Sequence, residues 1–113
     1  MTEPYVGGDH VKRTIVLPWV DKDGNDLAPL VYTIRELIAE LAGGYTTYSA
    51  VGVWRDDNGA QVTDSSSVVV VTSPPIIDAK IAARLPRWAF LLRLTCLYTD
   101  WHRVNVKFAL PEE

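Results

Sequence analysis

The sequence predicts an α+β sandwich in which two helices cover one face of a four-stranded antiparallel sheet. Three observations carry that expectation. Two apolar stripes recur at helical spacing, four β-rich runs surround them, and an Asp-Asn-Gly turn joins the middle two runs as a hairpin. The resulting order, β-α-β-β-α-β, closes into a ferredoxin-like sheet when its crossovers are right-handed.

Each element has a local reason. Residues 1–12 are polar and glycine-containing and read as a flexible arm ahead of a single domain over 13–110. RTIVLPWV (13–20) is β-rich and forms the first strand. Pro18 has no N–H for a ladder, so it belongs at a strand end, an edge or a bulge. DKDGND (21–26) is a turn-rich loop. Thr33 and Glu36 fit a capping box, and Ile34, Leu37, Ile38 and Leu41 follow as one helical stripe. Pro29 also suits a first turn, which allows an earlier start. Gly43 or Gly44 ends the helix.

YTTYSAVGVWR (45–55) reads as the second strand, with Tyr45, Thr47, Ser49, Val51 and Val53 facing one way. Thr46, Tyr48, Ala50, Gly52 and Trp54 face the other. Asn58-Gly59 marks a tight hairpin turn. AQVTDSSSVVVVTS (60–73) returns as the third strand, apolar on both faces at Val68–Val71, with room for a bulge at Ser65–Ser67. Asp78 is placed to cap a second helix over about 79–98, striped by Ile81, Leu85, Trp88 and Leu92. Pro86 should kink that helix or split it in two. RVNVKFAL (103–110) alternates polar and apolar residues and reads as the last strand.

The chain has 113 residues, 48% of them hydrophobic, enough for one self-sufficient core. Its net charge of −3 argues against non-specific nucleic-acid binding. The lone Cys96 excludes an internal disulfide or a Cys-rich zinc site. The N-terminus lacks a signal-peptide core, and the apolar run 88–98 is too short to span a bilayer, so no membrane association is expected and the protein reads as cytoplasmic.

Chemical motifs are few. The aspartates of 21–26 miss the calcium-loop pattern, with glycine fourth and Tyr32 at the twelfth position. Neither His10 nor His102 has a partner at ligand spacing. A Cys96–His102 nucleophile pair has no flanking pattern to support it. Phosphate loops, nucleophile elbows and zinc-protease helices are absent. No metal, cofactor or catalytic residue is expected.

Aromatic residues are more numerous than a small core needs. With helices on one face only, Tyr48, Trp54 and the apolars of the last strand would leave an apolar patch on the other, which a second copy could cover. Packing of the rings in the core is the competing account. The third strand lacks the basic-aromatic signature of RNA-recognition modules, so nucleic acid is not an expected partner.

The run Gly43-Gly44-Tyr45-Thr46, then Gly52-x-Trp54, then Asp57-x-Gly59, resembles a group of small, functionally unassigned bacterial and phage or plasmid proteins. The resemblance covers about residues 12–72. It implies an α+β fold and a site, if there is one, at Gly44, Tyr45, Thr46, Trp54 and Asp64, with the hairpin bringing Trp54 and Asp64 together. These readings favour a non-enzymatic accessory or regulatory protein that forms a homo-oligomer, most simply a dimer, through its sheet. It would bind a partner protein or small ligand at the interface. The alternative is a small enzyme of the dimeric α+β barrel type with a cleft between helices and sheet. A nucleic-acid-binding module is weaker still.

Overall fold

A computed structural model describes residues 5–112. The elements follow the expected order: β1 (Tyr5–Pro18), α1 (Ala28–Ala42), β2 (Thr46–Arg55), β3 (Gln61–Ser73), α2 (Pro75–Leu91) and β4 (Thr99–Ala109). The strands form one antiparallel sheet in the order β2-β3-β1-β4, the ferredoxin-like arrangement. Helix α1 packs over β3, and α2 over β1 and β3.

The core lies between these layers. Ile15 and Leu17 of β1 and Val69 and Val71 of β3 meet Val31, Ile34 and Ile38 of α1 and Ile81, Leu85 and Trp88 of α2. The stripe expected for the second helix is buried at every position, ending on Leu92. In the stripe expected for the first, Ile34 and Ile38 are fully interior, while Leu37 and Leu41 pack at its margin. Each buried aliphatic contributes on the order of 1.5–3 kcal/mol.

One buried ion pair ties the layers together. Arg13 donates from Nε to Asp78 Oδ1 at 2.7 Å and from Nη2 to Asp78 Oδ2 at 3.1 Å. Its third nitrogen reaches Thr99 Oγ1 at 3.0 Å, and Trp101 lies over the guanidinium at 4.7 Å. Asp78 is therefore not the expected helix cap. Pro74 holds the N-cap position without a side-chain bond, and Asp78 sits in the first turn, turned inward. A paired, hydrogen-bonded charge tolerates the interior, whereas either partner alone would not.

Several expected boundaries move, each for a physical reason. Strand β1 begins at Tyr5, inside the expected arm, because residues 5–10 pair with β4; residues 1–4 lie outside the described residues. Pro18 is the last residue of β1, where no further ladder bond is needed. Helix α1 starts at Ala28, capped through Asp26 Oδ1, which accepts from Ala28 N–H. Thr33 thus lies inside the helix, and its hydroxyl donates back to the Pro29 carbonyl at 2.9 Å. Gly43 terminates the helix at φ 85°, a left-handed conformation that glycine adopts without a Cβ clash.

At the hairpin only Gly59 is left-handed, so the loop is a turn plus one left-handed residue and not the two-residue form. Asp56 organises it by accepting from the N–H groups of Asn58 and Ala60. Register is constant through Ser65–Ser67, so β3 has no bulge there. Helix α2 runs through Pro86 without a break. It stops at Leu91, short of the expected 98, because Arg93 turns left-handed and Leu94 N–H reaches back to the Ala89 carbonyl. That closure buries Leu94 against the core edge. Strand β4 starts earlier than expected, at Thr99, whose hydroxyl bonds the Thr14 carbonyl.

The strands are strongly staggered. Only the rows through Thr14 and Ile15 cross all four. The β2–β3 hairpin overhangs at one end and a β1–β4 ribbon at the other, which makes the molecule 64 Å long and about 24 Å across. No helix of the described residues is long and apolar enough to cross a membrane.

Candidate functional site

The sheet's second face is open. Register and alternation place Tyr48, Trp54, Asp64, Val70, Thr72, Lys12, His102 and Phe108 on it, opposite the helices. Tyr48, Trp54 and Phe108 are each at least half exposed there. On the outer half of β2 the helix side is uncovered as well, and Val51 and Val53 are exposed there.

A shallow depression of about 510 Å³ occupies the end of the open face where β2 and β3 stop and the β1–β4 ribbon continues. Lys12, Gly44, Tyr45, Thr46, Thr72 and Phe108 line it, with Val70 as its floor. The local reasons are plain. Gly43 ends α1, so Gly44 and Tyr45 turn the chain directly into β2. Tyr45 is steadied from the helix side: Arg35 Nε donates to its hydroxyl at 3.0 Å, and the guanidinium lies 5.3 Å from its ring. Lys12 stands directly across from Thr72 on one side and His102 on the other. No carboxylate pairs with Lys12 among the described residues.

The second cluster lies on the hairpin. Trp54 Nε1 donates to Asp64 Oδ2 at 2.6 Å, so the indole edge fixes the carboxylate while the ring stays half exposed. Gly52 lies opposite Asp64 and leaves the carboxylate uncrowded.

Of the five residues singled out in the sequence, the structure brings Gly44, Tyr45 and Thr46 together in the depression and Trp54 and Asp64 together on the hairpin. It does not unite the two groups. Eight steps along β2 separate Thr46 from Trp54, about 26 Å. Lys12, Thr72 and Phe108 were missed, because they come from three strands distant in sequence and only the register assembles them. Cys96 is exposed in the segment between α2 and β4, whereas His102 is on the open face.

Among the described residues, Asp21 and Tyr98 have shifted acidity. Asn25, through its side-chain amide and then its N–H, holds the Asp21 carboxyl below its ordinary 3.8. Those bonds and that of Asp23 N–H use the oxygens within the loop. The Tyr98 hydroxyl donates to Asp100 at 2.7 Å, and that bond and charge push the phenol above 10.0.

No family model matches the chain, and no curated protein matches it. Solved structures do. A phage SAM lyase in complex with S-methyl-5'-thioadenosine superposes with a TM-score of 0.62 at 13% identity, over 96% of this chain and 95% of that one. A Bacillus cereus protein related to NIF3 gives a TM-score of 0.62 at 9% identity, over 93% of this chain but only 28% of its own length. At such identities the likeness is one of fold. It corrects the non-enzymatic expectation all the same, because the architecture read as an accessory module is, nearly end to end, the architecture of an enzyme.

Proposed function

We propose that this chain is a small enzyme of the lyase type whose substrate is an adenosyl sulfonium compound bound on the open face of the sheet. The observation that carries the reading is the two-way overlap with the phage SAM lyase, in which neither chain has much left over. The open face supports it chemically. Aromatic rings such as Phe108 offer a stacking surface for a planar base, and an exposed indole beside a carboxylate suits a sulfonium cation.

The binding place differs from the cleft between helices and sheet that the sequence suggested. That space is filled by Ile15, Leu17, Ile34, Ile38 and Ile81, all essentially inaccessible. The working surface is the reverse side.

The enzyme acts as a dimer packed sheet to sheet. The depression and the Trp54–Asp64 pair are farther apart than one adenosyl sulfonium molecule reaches. A two-fold axis near the middle of the sheet sets the hairpin of one copy over the depression of its partner. The apolar face of each copy is then covered. Trp54 and Asp64 bind and orient the cation. The bond that breaks is carbon–sulfur: sulfur keeps the bonding pair as a neutral thioether, and the departing carbon is satisfied within the substrate, by a new bond to the substrate's own carboxylate or by loss of a neighbouring proton to form a double bond.

The test is incubation of the purified full chain with S-adenosylmethionine, followed by chromatography for S-methyl-5'-thioadenosine. Release of the thioether is expected, reduced at least tenfold by Asp64→Asn. Absence of both turnover and binding overturns the reading. A strictly monomeric species by light scattering at tens of micromolar overturns the dimer.

A further inference from the structure

We propose that Lys12, with the hydroxyls of Thr46 and Thr72, forms a subsite for a compact anionic group, a carboxylate or a phosphate, carried by a ligand whose planar part rests against Phe108. The inference rests on the depression. The reading above supplies a candidate ligand for it but not its warrant.

Lys12 and Thr72 are direct cross-strand neighbours on the open face, and Thr46 lies one row on, across Val70. Lys12 and Thr72 stand about 4.5–5.5 Å apart at Cβ and Thr72 and Thr46 about 7–8 Å on the diagonal. Lys12 and Thr46, with β3 between them, are bridged by the length of the lysine side chain, and all three line the one depression. The ammonium has no carboxylate partner, and neither threonine hydroxyl is engaged among the described residues. Thr47, one residue from Thr46 but on the helix side, spends its hydroxyl on Ser67 and the Val68 carbonyl. The open-face donors are thus free while their helix-side neighbour is satisfied.

The other titratable groups on this part of the face are His102, level with Lys12, Asp100, one row away, and His10, one row away in the other direction, whose Nδ1 meets the Gly8 carbonyl. Asp100 already accepts from the Tyr98 hydroxyl. The row holding Lys12, Thr72 and His102 contains no acid, so an anion seated there meets donors. Phe108 supplies an apolar wall at the far rim, exposed and unclaimed by the core. Donors at one end and a ring at the other select a ligand that is anionic at one end and flat at the other.

The experiment is an amide-shift titration of the full-length protein with three probes: adenosine, adenosine 5'-monophosphate and S-adenosylhomocysteine. They share one base and carry no anion, a phosphate, or a carboxylate that stands beside an ammonium. At least one anionic probe is expected to bind about tenfold tighter than adenosine, the scale of a charge-assisted contact. Which of the two does so identifies the anion. Lys12→Met should erase that preference without changing adenosine binding, and Lys12→Arg should keep most of it. Equal binding of all three probes, binding of none, or a preference that survives Lys12→Met overturns the subsite. None of the probes is turned over. A subsite confirmed without S-adenosylmethionine cleavage therefore defeats the enzyme reading alone, and cleavage without anion preference defeats the subsite alone.

Discussion

The two faces of this sheet are built from the same strands and obey different rules. On the helix side, Ile15, Leu17, Val69 and Val71 are shut away, and even Arg13 is interior because Asp78 neutralises it. On the open side, Tyr48, Trp54 and Phe108 remain at least half exposed, and Lys12 has no carboxylate partner among the described residues. One face carries the stability. The other has little packing to lose and is therefore free to serve recognition.

Substitutions can break or sharpen this contrast. The largest effect belongs to the ion pair: Asp78→Ala leaves a buried guanidinium and should cost about 3–5 kcal/mol in denaturant unfolding. Trp88→Ala, in the core, should cost a similar 3–5 kcal/mol by cavity formation. Trp54→Ala provides the counterweight, expected near 1 kcal/mol or less because its ring is half exposed. Equal losses at Trp54 and Trp88 would erase the distinction between the faces. Thr33→Ala should change stability by no more than about 0.5 kcal/mol, since its hydroxyl bonds backward within the helix; a loss near 1 kcal/mol would restore the capping box.

The smallest effect is one of pH. Asp21 has its acidity raised by loop bonds, so its folded pKa lies below 3.8. Its stabilising contribution is present above that ordinary value and is lost as pH falls through the lower folded one. Asp21→Asn should flatten the acid limb of a thermal-unfolding profile slightly and leave neutral pH nearly unchanged.

How much of this was legible depended on how local the cause was. The stripe Ile81, Leu85, Trp88, Leu92 could be read directly, because burial of one helix face imposes a period of its own. Thr33 misled, since a threonine three residues before a glutamate has the same pattern inside a helix as at its start. The early part of β1 was hidden because Gly-Gly-Asp-His has loop composition, and its pairing with β4 is a tertiary fact. Gly7 marks that pairing: a Cβ there would run into the Val106 carbonyl.

The candidate site divides the same way. Gly44, Tyr45 and Thr46 are contiguous, so the helix stop that exposes them also announces them. Trp54 and Asp64 could be paired by counting across the hairpin. Lys12, Thr72 and Phe108 could not be found this way, because nothing in their flanking residues marks them. Asp78 was taken for a cap because its partner, Arg13, lies at the other end of the chain.

The stagger of the strands has a consequence for motion. Where all four strands overlap, every amide of the inner pair is guarded by a neighbour on each side and by a helix above. At the two projecting tips the guard is a single strand. Deuterium should therefore enter the hairpin and the terminal ribbon long before the middle rows, and both tips can flex while the centre stays rigid.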